Sequence, residues 1–142
     1  MLKDLGADHV INYRETPSWG EKAQSLSPDQ AGVQHIIEVG GPTTIAPSLK
    51  AVAIDGVISI IEFIGGSTKD QPTFLDCVSN LCTVRGLLVG SRMQFEDMNK
   101  AIEANNIHPV VDQKEFGLDQ LKEAYQYMFD QKNVGKVTVK II

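Results

Sequence analysis

The feature that most constrains this chain is the run at residues 57–63, VISIIEF. It is almost uninterruptedly apolar and rich in β-branched side chains. A strand with one face in water alternates apolar and polar residues, whereas a strand buried on both faces does not. The run therefore predicts a central parallel strand, with neighbours on both sides and helices above and below. Asp55-Gly56 is expected to make the turn into it, and Gly65-Gly66 to close it.

Short β-type runs and helical patterns alternate along the rest of the chain. Residues 9–13 (HVINY) predict a strand, after a helical remnant at residues 2–5 that stops at Gly6. Pro17 opens a weak helix over residues 18–26. Residues 33–39 (VQHIIEV) predict a strand ending at Gly40-Gly41. Pro42 then suits the first turn of a helix reaching about Ala53, because its missing N–H costs nothing there. A helix is expected over residues 72–81 and a strand over residues 83–89 (TVRGLLV). Ser91 and Gln94 have the spacing of a capping box, followed by Phe95, Met98 and Ile102 on one helical face. Residues 109–111 read as a short extended piece, and Leu118, Leu121, Tyr125 and Met128 as a last amphipathic helix. Gly135 ends that helix, and residues 136–142 alternate as a final strand. Strands alternating with helices imply right-handed βαβ units, so the class is α/β.

Charge and composition exclude several roles. The formal net charge is −5 and no run of Lys and Arg stands out, so nucleic acid and anionic membrane are not expected partners. The longest apolar runs are strand-sized, and no signal-like stretch follows Met1. Cys77 and Cys82 make neither a zinc pattern nor a disulfide framework, and read as reduced core or interface thiols. A cytoplasmic location is expected. Three histidines and two cysteines spread this widely predict no metal site.

The series of segments resembles the medium-chain dehydrogenase/reductase family, the zinc-type alcohol dehydrogenases and quinone reductases. LGADHVINY at residues 5–13 is similar to the end of that family's second nucleotide-domain helix and its third strand. GVQHIIEVGGPTTIAPSLKAV at residues 32–52 resembles the fourth strand and its helix, and DGVISIIEFIGG at residues 55–66 the fifth strand. TVRGLLVGSRMQFEDMNKAIEA at residues 83–104 resembles the sixth strand and the helix beyond. HPVVD at residues 108–112 and VGKVTVKII at residues 134–142 resemble the returning segment that packs on the catalytic domain.

The resemblance implies a partial fold. The family's catalytic domain, zinc ligands, first nucleotide-domain strand and glycine-rich turn would lie before Met1, and no G-x-G-x-x-G occurs here. The expectation is an incomplete Rossmann-like parallel sheet with flanking helices, lacking its first two strands and completed by oligomerisation. Residues 1–90 would form a partial dinucleotide-binding domain, and residues 91–142 the segment that packs on the catalytic domain in the family. Residues 9–13 would have no native neighbour, and residues 33–39 would be an edge. No cofactor is expected, NAD or NADP being bound only in a full-length parent enzyme. An unpaired edge and an uncovered apolar face favour a homodimer or higher assembly, with strand exchange as one route.

Several residues stand where ligands bind in open α/β sheets, beyond the carboxyl ends of the strands. Glu62 occupies a position that the resemblance associates with glycine beside a nicotinamide ring. Buried there, it would suit general acid/base work; exposed, it is a solvated strand end. Arg92 could hold an anion, although a cation in a helix's first turn is electrostatically disfavoured and favours a nearby carboxylate instead. Glu38 ends the fourth-strand segment and could share the crevice. Gly40, Gly41 and Phe63 are remnant cofactor positions, and the glycine pairs read as strand-end turns. His35 and His108 read as ordinary surface or core groups. Ser59 and Ser91 lack a local base. Tyr13 and Trp19 are single aromatics rather than a base-stacking platform.

Three functions are compatible with this pattern. The first is a scaffold that lost redox activity, binds a small apolar metabolite and catalyses a non-redox isomerisation or cyclisation through Glu62 and Arg92. The second is a portion of an NAD(P)-dependent zinc-type alcohol or quinone oxidoreductase. The third is a non-catalytic interaction module.

Overall fold

The computed structural model describes residues 1–141; the end of the expected final strand, Ile142, lies outside the described residues. The chain divides into two compact units, Met1–Val89 and Gly90–Ile142. Among the described residues no helix is long and apolar enough to cross a membrane.

The first unit is built on a three-stranded parallel sheet in the order β1-β2-β3, with β1 Val33–Glu38, β2 Val52–Ile60 and β3 Thr83–Gly86. The apolar run expected to be central is central. One sheet face carries Ile36, Ile58, Ile60 and Val84, packed beneath Ile45 and Leu49 of α2 (Ile45–Ala51). Ile58 has no exposed surface, as a strand flanked on both sides and covered from above requires. Against α2 lies α1 (Trp19–Leu26), and the approach is close enough that any side chain at Gly20 would strike the Pro47 carbonyl. Pro47 itself sits in the first turn of α2, where no intrahelical N–H donor is needed. The opposite sheet face is thinly covered: Ile37 stays 61% exposed and Ser59 is capped by Arg85, whose Nε donates to it at 3.1 Å.

The helix expected from Pro42 to about Ala53 is confined to Ile45–Ala51, with β2 following at once, and four further features of this unit differ from the sequence reading. Residues 9–13 form no strand; Asn12 instead organises a turn, accepting from the amides of Arg14 and Thr16 and donating to Glu15. A solitary extended segment with no strand alongside cannot satisfy its amides by pairing, and local turn bonds win. Second, Asp55-Gly56 is a bulge inside β2 rather than the turn before it. Val33 pairs with Val52 but His35 pairs with Val57, and Asp55 takes a positive φ of 59° to absorb the extra residues. Third, the expected helix over residues 72–81 contracts to α3, Leu75–Ser79. Fourth, β3 stops at Gly86, short of the expected Val89.

The second unit holds α4 (Arg92–Ala104), β4 (Val111–Gly117), α5 (Leu121–Phe129) and β5 (Lys136–Lys140). The capping box opens α4 as expected: Gln94 N–H donates to Ser91 Oγ at 3.3 Å, and Ser91 N–H to Gln94 Oε1 at 2.7 Å. Strands β4 and β5 pair in parallel, so β4–α5–β5 is a small βαβ unit. The expected extended piece at residues 109–111 is not where the strand lies; β4 begins at Val111 and runs for seven residues. The unit's buried apolar residues are Phe116, 1% exposed, and Ala124; Phe116 is tilted against Tyr127 at 5.6 Å, with the Lys114 ammonium over both rings. Asp112 ties the unit together by accepting from the amides of Val134 (2.7 Å) and Lys114 (2.8 Å) and from the Tyr127 hydroxyl.

Candidate functional site at the strand ends

The carboxyl ends of β1 and β2 run on together past the regular ladder. Ile61 N–H donates to the Glu38 carbonyl, Ile64 to Val39 and Gly65 to Gly40, at 3.0, 3.2 and 2.9 Å. One glycine of each pair explains itself here. A Cβ on Gly41 would lie 2.8 Å from Phe63 Cα, and one on Gly65 would lie 2.6 Å from the Gly40 carbonyl oxygen. Both glycines are needed so that one corner can pack on the other.

Glu38 is the organising residue. It is 4% exposed, and one carboxylate oxygen accepts from the amides of Gly40 and Gly41, each at 2.9 Å, and from the Thr44 hydroxyl. The other oxygen accepts from Ser48 Oγ on α2, itself without exposed surface. Four donors converge on one acid, which is how a buried carboxylate is satisfied without a cation. Neither Thr44 nor Ser48 stood out in the sequence. Thr44 immediately precedes α2 and Ser48 lies on it, and only the docking of that helix on β1 brings them to the acid.

Glu62 is exposed, and its carboxylate turns back to accept from the Phe63 amide at 3.1 Å. The burial that general acid/base work would draw on is missing. Phe63 is 70% exposed. Arg92 belongs to the second unit, at the start of α4, where its Nε meets Glu96 Oε1 at 2.8 Å on the solvent-facing surface. His35 and His108 are exposed. Ser59 is occupied by Arg85 and Ser91 by its cap. Among the described residues no three potential ligands gather as a metal site.

Beside the strand ends lies an apolar cleft of about 530 Å³, between α2, the end of β2 and the segment leading into α3. Ile45, Leu49, Ile60, Phe63, Phe74 and Val84 form its apolar walls, and Gln71, Thr73 and Cys77 are the polar residues that line it. A second cleft of about 300 Å³ follows the free edge of β1, between Tyr13, Trp19 and Ile37. The diphosphate of a dinucleotide needs unoccupied backbone amides at such a turn. The Gly40 and Gly41 amides are already bonded to Glu38, so the residues present at this corner do not fit that group.

A parallel sheet with flanking helices, and an apolar cleft beside the carboxyl ends of its strands, defines a protein of the Rossmann-like α/β class. Within that class, a family model described as zinc-binding dehydrogenase matches residues 5–139, and the chain belongs to this family, corresponding to the C-terminal part of a medium-chain dehydrogenase/reductase. A zinc-type alcohol dehydrogenase-like protein of Schizosaccharomyces pombe is 45% identical over 99% of this chain and 41% of its own length. A quinone oxidoreductase-like protein 2 homolog of Nematostella vectensis is 28% identical over 98% of this chain and 40% of its own. Among solved structures, one described as an alcohol dehydrogenase of Sinorhizobium meliloti 1021 superposes with a TM-score of 0.82 at 33% identity, over 99% of this chain and 40% of that one. The chain thus spans about 40% of the length of the relatives it matches.

Proposed function

We propose that this chain is the strand-end portion of a nicotinamide-dependent alcohol or quinone oxidoreductase, and that hydride transfer belongs to a protein in which other residues cradle the diphosphate. The observation that carries this reading is the commitment of the Gly40 and Gly41 amides to Glu38, in a chain of the zinc-binding dehydrogenase family. In that role Glu38 fixes the corner after β1, and the corner positions the end of β2. The apolar cleft beside it is a wall suited to a flat, weakly polar ring. An isomerase or cyclase built on Glu62 draws less support, because Glu62 is exposed and the relatives carry dehydrogenase and oxidoreductase names.

The test is a chimera in which these 142 residues replace the matching 41% of the fission-yeast relative. It is expected to bind NADH or NADPH stoichiometrically in calorimetry, while the isolated chain binds neither. Tight stoichiometric nucleotide binding by the isolated chain would overturn the reading, as would a folded chimera that binds neither nucleotide.

A further inference from the structure

Helix α3 ends in a turn whose geometry sets two cysteines side by side. Leu81 adopts a positive φ of 47°, its N–H donates to the Val78 carbonyl at 3.2 Å, and Cys82 N–H donates to the Cys77 carbonyl at 3.1 Å. This crossed pair of bonds is the Schellman arrangement, in which the residue after the left-handed position packs its side chain on the one five residues earlier. Those two residues are Cys82 and Cys77. Both are free and half-buried, and both line one open surface depression of about 410 Å³ with Asp55, Val78, Leu81 and Thr83.

We propose that Cys77 and Cys82 are an oxidisable dithiol, converted by a low-molecular-weight disulfide into an intramolecular disulfide that clips the end of α3 to the start of β3. The step balances as two exchanges. One protein thiolate attacks a sulfur of the small disulfide, forming a mixed disulfide and releasing one small thiol. The second protein thiolate then attacks the mixed disulfide and releases the other. The protein loses two hydrogens and the small disulfide gains them. Either thiolate can open the exchange, and burial, with the neighbouring Cys77 sulfur adding to it, pushes the Cys82 thiol up from its ordinary value. The surface depression admits the oxidant, and the turn presents the partner sulfur.

The experiment equilibrates the intact chain with mixtures of reduced and oxidised glutathione, quenches with acid, alkylates, and reads masses of the whole chain and of the peptide spanning residues 77–82. The expected product is a chain not covalently joined to another, lighter by two hydrogens and carrying neither alkyl group nor glutathione. Its oxidation equilibrium should lie at least about tenfold above that of the same chain unfolded in urea, because the folded turn holds the sulfurs together. Cys77→Ser and Cys82→Ser should instead end as mixed disulfides. Two glutathiones per wild-type chain, a disulfide between chains, or an equilibrium no better than in urea would each overturn the proposal.

Discussion

Glu38→Ala removes one acceptor group from four donors at once. The Ser48 hydroxyl has no exposed surface on which to find water, and the Gly41 amide is buried beside it. Leaving such groups unpaired is expected to lower unfolding free energy by about 2–4 kcal/mol. Glu62→Ala touches only a neighbouring amide in solvent and should change it by about 0.5 kcal/mol or less. Urea titrations of the two variants check the contrast, and equal effects would show that the collar around Glu38 is not load-carrying. In sequence both acids are simply carboxylates near strand ends. What separates them is the chain that folds over Glu38 and leaves Glu62 in solvent. Glu38 shares a face with Ile36, under α2, and no local pattern states that α2 brings Thr44 and Ser48 to meet it.

At the scale of elements, Asp112 links β4 to the turn before β5 and to Tyr127 of α5. The amides of Val134 and Lys114 hold its carboxyl below the usual carboxylate range. A carboxyl depressed in the folded state contributes stability above its ordinary pKa, and that contribution fades as pH falls through the lower folded value. The gap in urea midpoint between wild type and Asp112→Asn should therefore be widest near neutral pH and shrink in acid. A gap constant across the range would count against this role. Elements were legible where their signals were local. The Ser91–Gln94 cap and the unbroken apolar run of β2 needed only a few adjacent residues. Strand β4 was largely missed because its interior, DQKE, is polar and only Phe116 turns into a core. Residues 9–13 have strand composition, but a strand needs a neighbour, and composition does not provide one.

For the whole molecule, exposed apolar side chains remain on both units: Ile37, Phe74, Leu88 and Val89 on the first, and Tyr125 and Phe129 on the second. Strand β1 also has a free edge. Patches and edges of this kind favour association. We expect sedimentation at micromolar concentration to give a mass of at least two chains of 15.5 kDa. A monomer that melts cooperatively would exclude it. The α/β class and the central place of β2 could be read before any coordinate, since both follow from periodicity. The clefts could not, because they depend on how far α3 shortens and where Phe74 is left.

The corner after β1 is neutralised from within: its own acid sits where a visiting anion would otherwise be welcomed. A descendant that came to hold an external phosphate there would have to surrender Glu38 and also re-employ Ser48, whose buried hydroxyl is left stranded if the acid goes alone. An exchange at position 38 therefore calls for a second one at position 48.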